Sequence, residues 1–192
     1  MILVFGGTGQ LGAARARPAR GVEPLVALSR ADADITDAGA VARAVDRWRP
    51  RLVVNAAAYN KVDEAESRAE HAFRINAGGP RTLAEACAAT SVPLVHVSTD
   101  FVFDGAKGAP YRESDPVAPL SAYGRSKAAG EVAVREASPR HLILRTAWVF
   151  GAGTGFVQTV LDLAARHKSL RFVADQFGSP TAADDLARAV LV

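Results

Sequence analysis

Six short apolar runs recur along the chain, with room for a helix between most neighbouring pairs. They are MILVF (1–5), PLVAL (24–28), LVVNA (52–56), PLVHVS (93–98), HLILRT (141–146) and LRFVA (170–174). Between them the apolar period changes. Val41, Ala44, Val45 and Trp48 fall at i, i+3, i+4 and i+7, the spacing of a helix with one buried stripe. Leu83, Ala86 and Cys87 follow the same spacing, as do Val157, Val160, Leu161 and Ala164. Strands that are apolar throughout, each followed by a helix, predict parallel strands covered on both faces. With no internal repeat or linker, residues 1–192 read as one doubly wound α/β domain.

Composition narrows the function classes. The longest apolar runs are broken by Arg, Asp or Gly, so no segment reads as a membrane span. MILVFGGTGQ has no basic leader and runs directly into structure, which predicts no signal peptide. A single cysteine, Cys87, has no partner for an internal disulfide and sits in an Ala-rich helical run. That fits a reducing cytoplasm, with Cys87 a small core residue. A net charge of +3 and a pI of about 9.3 raise the question of nucleic acid. The basic residues are scattered among acids, and the one cluster, ARARPARG (14–21), reads as a solvated helix face, so no nucleic-acid partner is expected. The four histidines lie far apart and show no metal-ligand spacing.

The segment GGTGQLG (6–12) sets Gly6, Gly9 and Gly12 directly after the first predicted strand and ahead of a helical run. In that position Gly6 permits a tight turn, Gly9 lets backbone approach a pyrophosphate, and Gly12 allows close helix packing. This is the signature of a dinucleotide-binding, Rossmann-like sheet. Pro18 falls inside the first helix and is expected to shorten or kink it. At the end of the second strand stand Ser29 and Arg30, where an NAD enzyme would carry a carboxylate for the ribose 2′-hydroxyl. A guanidinium pairs well with a 2′-phosphate, so NADP(H) is favoured, with NAD(H) as the alternative. Asp34 and Ile35 come next in position to bracket an adenine.

The longest irregular stretch, 104–121, is rich in Gly, Pro and Asp and follows the fourth strand. Ligands of open α/β sheets bind beyond the carboxyl ends of the strands, so this loop is placed to cover one. It leads into YGRSK (123–127). Tyr123 and Lys127 stand one helical turn apart and share a face, close enough for the ammonium to favour a phenolate and lower the phenol pKa. A surface Tyr and Lys on an amphipathic helix would give the same spacing, so the surroundings decide.

Those surroundings are specific. The chain resembles an extended short-chain dehydrogenase/reductase, and within that group the dTDP-4-dehydrorhamnose reductase family. The matching segments are GGTGQLG, DITD (34–37), NAAAY (55–59), VDEAE (62–66), INAGGP (75–80), STDFVFDG (98–105), YGRSKAAGE (123–131), RTAWVFG (145–151) and DQFGSPT (175–181). The glycine loop and YxxxK mark only the superfamily, whereas STDFVFDG, RTAWVFG and DQFGSPT are narrower. The resemblance implies NADPH-dependent reduction of a 4-keto sugar nucleotide to dTDP-L-rhamnose. It gives Thr99 a hydrogen bond to the keto oxygen, Tyr123 the proton, and Lys127 the tuning of Tyr123 and a hold on the nicotinamide ribose. It puts Gly9, Gln10 and Leu11 on the pyrophosphate, Ala57, Ala58 and Tyr59 along the cofactor groove, and Asn76 in support of the Lys. Asp100 and Trp148 match positions that touch the nucleotide-sugar.

Departures accompany the match. Family members are considerably longer, and this chain stops at DDLARAVLV, where the portion supplying part of the sugar-nucleotide pocket would begin. Asn60 and Lys61 stand where small or hydroxyl residues are usual. Some members form homodimers through a metal held partly by an acid in the first helix; Arg15 stands near that position, so this metal-bridged interface is not assumed, no metal ligand is assigned, and a homodimer is left open as a partner. Two other readings share these features: a nucleotide-sugar epimerase or dehydratase, and a regulatory subunit that binds NADP without turnover.

Overall fold

The computed structural model of the chain describes residues 1–14, 24–151 and 155–191. Five parallel strands form one sheet: β1 (Ile2–Phe5), β2 (Leu25–Leu28), β3 (Leu52–Asn55), β4 (Leu94–Thr99) and β5 (His141–Thr146). Their spatial order is β2-β1-β3-β4-β5. Side chains alternate across the pleat, so β1 sends Leu3 and Phe5 to one core and Ile2 and Val4 to the other. The first core is closed by α2 (Ala38–Trp48), α5 (Gly79–Ala89) and Val134 of α6 (Ala122–Ala137). Leu11 of α1 (Gln10–Ala14) and Leu186, Ala187 and Val190 of α8 (Ala183–Leu191) meet the second. Helices on both faces are what the uniformly apolar strands predicted. Pro18, Arg15 and most of the ARARPARG cluster lie outside the described residues.

Several local rules fix where the helices begin. Asp37 caps α2 by accepting from the Ala40 amide at 3.0 Å, and Arg49 ends it in the left-handed conformation. Ser121 caps α6 through the Gly124 amide, also at 3.0 Å, and the Glu66 carboxylate accepts from the Ala122 amide at 2.7 Å. The helix that carries YGRSK therefore starts with two amides satisfied and an anion at its positive end. Glu66 lies on α3 (Val62–Ser67), so the VDEAE segment serves to dock α6.

From Ala69 to Ala89 the backbone is one helix interrupted by a π-helical turn, Arg74–Gly78, between α4 (Ala69–Phe73) and α5. Pro80 explains the interruption. It has no amide to give the Asn76 carbonyl four residues back, and the wider turn absorbs that mismatch. The freed carbonyl faces Gly130 of α6, where an added Cβ would lie only 2.1 Å from it. Small residues on α6 thus let its backbone press against the π turn.

One expected strand does not form. Residues 170–174 have no regular structure, and Phe172 and Val173 are exposed. An apolar run becomes a strand only with a partner, and the sheet ends at β5. Instead, β6 (Val149–Phe150) pairs in parallel with β7 (Thr181–Ala182) in a separate two-stranded sheet. That pairing joins the RTAWVFG and DQFGSPT segments. The helix between them, α7 (Phe156–Ala164), has no buried residue.

Candidate active site

The carboxyl ends of the strands open into one cavity of about 820 Å³. Gly6, Gly9, Gln10 and Leu11 line it, together with Arg30, Asp34 and Ile35 from the β2 end and Ala57, Ala58 and Tyr59 after β3. Thr99, Asp100, Tyr123, Lys127 and Trp148 line the same cavity. Residues from nine separate sequence segments thus converge where an open α/β sheet binds ligands.

The glycine loop has the shape the spacing predicts. Gly6 adopts φ +89°, and a Cβ there would meet the Ala57 amide at 2.6 Å; a Cβ on Gly12 would meet the Gly7 carbonyl at 2.5 Å. Gly9, by contrast, would meet nothing closer than 3.4 Å. Beside it Gln10 and Leu11, both on the cavity wall, open α1, where the first amides have no helical carbonyl to donate to. Such a cradle fits a dinucleotide pyrophosphate. Gly12 itself does not line the cavity; it is buried in α1, where it packs against the Gly6–Gly7 turn.

The second-strand end corrects an expectation. Ser29 does not line the cavity; its amide and hydroxyl both donate to the Asp32 carboxylate, at 2.8 and 2.7 Å. Arg30 does line it, but its Nε donates to Asp34 at 2.9 Å. Burial raises the Asp34 pKa, while hydrogen bonds from Thr36 and Arg30 outweigh it and leave the carboxyl below its usual range. The turn after β2 therefore brings two carboxylates to a strand end that looked free of them in sequence. The guanidinium has a carboxylate partner already.

Asn76 stands behind the wall that Tyr59 and Lys127 line. It is buried off the cavity, donates to the Tyr59 carbonyl and the Ser126 hydroxyl at 2.9 Å each, and accepts from the Tyr59 amide at 2.8 Å. It pins the NAAAY segment to α6 and so acts through its neighbours. Asn55 does similar work one strand deeper. Its side-chain oxygen accepts from the Ala57 amide at 3.1 Å, leaving its amide group to donate to His96 Nδ1 at 3.0 Å. The His96 ring is neutral, its pKa pushed well down by burial and by Lys127.

Tyr123 and Lys127 do share one buried face of α6, and both reach the cavity. Lys127 is 2% exposed and donates to the Val97 carbonyl at 2.7 Å. Burial brings its pKa down to about 8, with the Glu131 charge opposing the fall. The phenol moves the other way from the sequence expectation. Burial pushes the Tyr123 pKa up, the Thr99 hydroxyl pulls it down, and the Asp100 charge adds to the rise. Tyr123 is thus a group that holds its proton. Phe101 packs edge-on to its ring at 5.6 Å.

Thr99 ends β4 and turns the chain. Its oxygen accepts from the Phe101 amide at 3.2 Å, and its proton goes to Asp100 Oδ1 at 3.0 Å. Burial raises the Asp100 pKa, and the Thr99 hydrogen bond opposes that rise. Trp148 takes φ +46°, rare for a large side chain, and its ring rests against Gly178 of the DQFGSPT segment. The 104–121 loop does not cover the cavity. None of its residues lines the wall, and Tyr111 stacks on Phe103 at 4.1 Å while bonding Asp104 at 2.6 Å.

Reading by motif missed Thr8, Asn60, His71, Thr146 and Phe156, all on the cavity wall. Asn60 and His71 had a signal, since Asn60 extends NAAAY and His71 lies one turn before the INAGGP segment. His71 meets Tyr59 edge-on at 5.0 Å.

A family model described as RmlD substrate binding domain matches residues 1–192. The dTDP-4-dehydrorhamnose reductase of Sinorhizobium fredii is 45% identical over 191 residues, covering 99% of this chain and 64% of that protein. The Mycobacterium tuberculosis enzyme of the same name is 45% identical over 197 residues, again covering 99% and 64%. Among solved structures, a dTDP-4-dehydrorhamnose reductase from Bacillus anthracis in complex with NADP superposes with a TM-score of 0.94 at 36% identity, covering 98% of this chain and 68% of that one. The chain spans about two thirds of the length of the curated relatives it matches.

Proposed function

The chain belongs to the RmlD substrate binding domain family, and from that premise we propose that it carries the cofactor-binding part, and one substrate wall, of a cytoplasmic NADPH-dependent dTDP-4-dehydrorhamnose reductase. The observation that carries the reading is the convergence of Thr99, Tyr123 and Lys127 on the cavity headed by the glycine loop. The reductase name borne by relatives at 45% identity supports the same chemistry, and the bound NADP of the B. anthracis protein supports the cofactor. A Bordetella bronchiseptica relative in complex with NAD and UDP, at 26% identity, keeps NAD(H) as the alternative.

Reduction of the 4-keto group needs a hydride at carbon and a proton at oxygen. The nicotinamide supplies the hydride when bound. Everything else falls to the chain. Gly6, Gly9, Gln10 and Leu11 hold the pyrophosphate, and Ala57, Ala58 and Tyr59 line the path toward the sheet's centre. Tyr123 gives its proton to the carbonyl oxygen as the C=O bond becomes an alcohol. Its raised pKa suits that direction, because an acid must keep its proton until charge develops on the substrate. Thr99 adds a second hydroxyl at the same oxygen once its proton turns from Asp100. Lys127, on the cavity wall one helical turn after Tyr123, would hold the nicotinamide ribose. Asp100 and Trp148 face the sugar nucleotide.

The sugar-nucleotide side has one wall here, and the remaining third of the relatives' length would provide the other. Without it, remote binding energy that positions the sugar is lost. The 192-residue chain is therefore expected to bind NADPH but to show weak or no reductase activity, with a longer chain restoring it. Calorimetric titration with NADPH and dTDP, beside a turnover assay, tests this. Full activity from the short chain defeats the two-walled reading, and absent NADPH binding defeats the cofactor assignment.

A further inference from the structure

Asn60 and Lys61 depart from the small or hydroxyl residues usual after the NAAAY segment, and the fold treats the two differently. The Lys61 ammonium pairs with Glu64 at 2.8 Å, a carboxylate that Arg68 also holds at 2.7 Å, and Lys61 does not line the cavity. Asn60 does line it. Its side chain is exposed, and its carboxamide has no hydrogen-bond partner among the described residues. The backbone on either side is fixed. Asn76 holds both the amide and the carbonyl of Tyr59, at 2.8 and 2.9 Å, and the Lys61 carbonyl accepts from the Ala65 amide at 3.0 Å. A ligand that met Asn60 would therefore have only the side chain to order.

Its neighbours indicate what the carboxamide would meet. Tyr59 and Val62 pack in one apolar cluster with Tyr123, and Phe101 joins that cluster from the turn after Thr99. All four also line the cavity. Asn60 lies between Tyr59 and Val62 in sequence, so it belongs to the Tyr123 end of the cavity and brings a polar group to a largely apolar stretch of wall. In a 4-keto sugar the carbonyl oxygen is taken by Tyr123 and Thr99. The carbon beside it, C3, carries a hydroxyl, which both donates and accepts. A carboxamide has an NH2 donor and a carbonyl acceptor, so it can serve that hydroxyl in either sense. A small apolar side chain in the same place offers neither.

We propose that Asn60 is a specificity-determining residue that hydrogen-bonds the hydroxyl on the carbon beside the reacting carbonyl. The substrate class is then a keto-sugar nucleotide that keeps this hydroxyl, in preference to one deoxygenated there. A wall group that pairs with a substrate hydroxyl discriminates by being left unpaired when the hydroxyl is missing. Because Asn60 is open to water, that discrimination is modest. The proposal rests on the reductase reading and deepens it.

The test reads Asn60 directly. The chain has three asparagines, at 55, 60 and 76. Asn55 and Asn76 are buried and hydrogen-bonded, so in a 15N-asparagine-labelled chain Asn60 is the carboxamide open to a ligand, and Asn60→Ala assigns its NH2 signals by their loss. NADPH is added first, followed by dTDP, dTDP-L-rhamnose or the 3-deoxy counterpart of that sugar nucleotide; the reduced cofactor and the reduced sugar cannot react. The Asn60 signals are expected to shift with dTDP-L-rhamnose and to stay near their NADPH-bound positions with dTDP and with the 3-deoxy sugar. Asn60→Ala should weaken dTDP-L-rhamnose binding by about two- to tenfold, the worth of one neutral hydrogen bond, with dTDP binding unchanged. Asn60 signals that stay in place up to millimolar dTDP-L-rhamnose, or that move as far with dTDP or the 3-deoxy sugar, overturn the proposal. A chain that binds NADPH and leaves Asn60 still defeats this proposal alone; one that binds no NADPH defeats the reductase reading beneath it as well.

Discussion

The two sides of the sheet are finished to different degrees. Strands β1, β3 and β4 are almost wholly buried, and the glycine loop, the Asn55–His96 and Asn76–Ser126 contacts and the Tyr123–Lys127 face are all packed against them. Beyond β4 the picture changes. No residue of β5 or α7 is buried, and Phe156, Val157, Leu161, Phe172, Val173 and Phe177 are exposed. A self-sufficient monomer rarely leaves so much apolar side chain in water. The contrast teaches that, among the described residues, the glycine-loop and Tyr123–Lys127 side of the cavity rests on closed packing, whereas the β5 and α7 side does not.

The strongest way to break the comparison is at the acid. Tyr123 belongs to the finished half, so its loss should affect chemistry and little else. In a chain that turns over a 4-keto sugar nucleotide, Tyr123→Phe is expected to lower kcat by ~10²–10⁴-fold. NADPH affinity, measured by nicotinamide fluorescence, should stay near the parent value. Activity within a few-fold of the parent would remove Tyr123 from the role of acid and with it the main claim on the finished half.

The same contrast governs what could be read from the sequence. Strands β1 to β5 were legible because burial on both faces makes them apolar throughout, and the glycine and YxxxK segments were legible because backbone geometry demands those residues there. LRFVA was not, since an apolar run looks the same whether or not a partner strand exists to pair with it. The π turn at 74–78 left only the trace of Pro80 after two glycines. Carboxylates at 32 and 34 looked distant from Ser29 and Arg30, yet a single turn folds them back onto both. The direction of the Tyr123 pKa also depended on burial, which no spacing rule reports. Contacts made by turn geometry and depth were the hidden part.

A smaller effect sharpens the cofactor side. Arg30 must exchange Asp34 for a 2′-phosphate if NADPH is the cofactor. Arg30→Ala would remove a charge-assisted contact worth ~1.5–3 kcal/mol and leave the Asp34 carboxylate facing the phosphate, which acts in the same direction. NADPH binding should weaken by about tenfold or more, and NADH binding should hardly change. Titration of both cofactors against the parent and the variant separates the cases. Equal losses for the two would mean that Arg30 serves only to hold Asp34.

The smallest effect tests the open side itself. Leu161 on α7 and Phe177 in the DQFGSPT segment are exposed, Phe177 at 96%. Replacing either by Ser removes an apolar group that meets mostly water, so the unfolding free energy of this chain should stay within about 0.5 kcal/mol of the parent. Leu83→Ala in the closed core is the control and should cost ~2–5 kcal/mol. A chain extended to the relatives' full length provides the second arm. If its added residues cover α7, Leu161→Ser there should cost ~1.5–3 kcal/mol, the worth of burying a leucine side chain. Urea unfolding of the four variants measures each cost. A small effect in both lengths would mean that α7 stays uncovered, and a large one in the short chain would mean that the open side is packed after all.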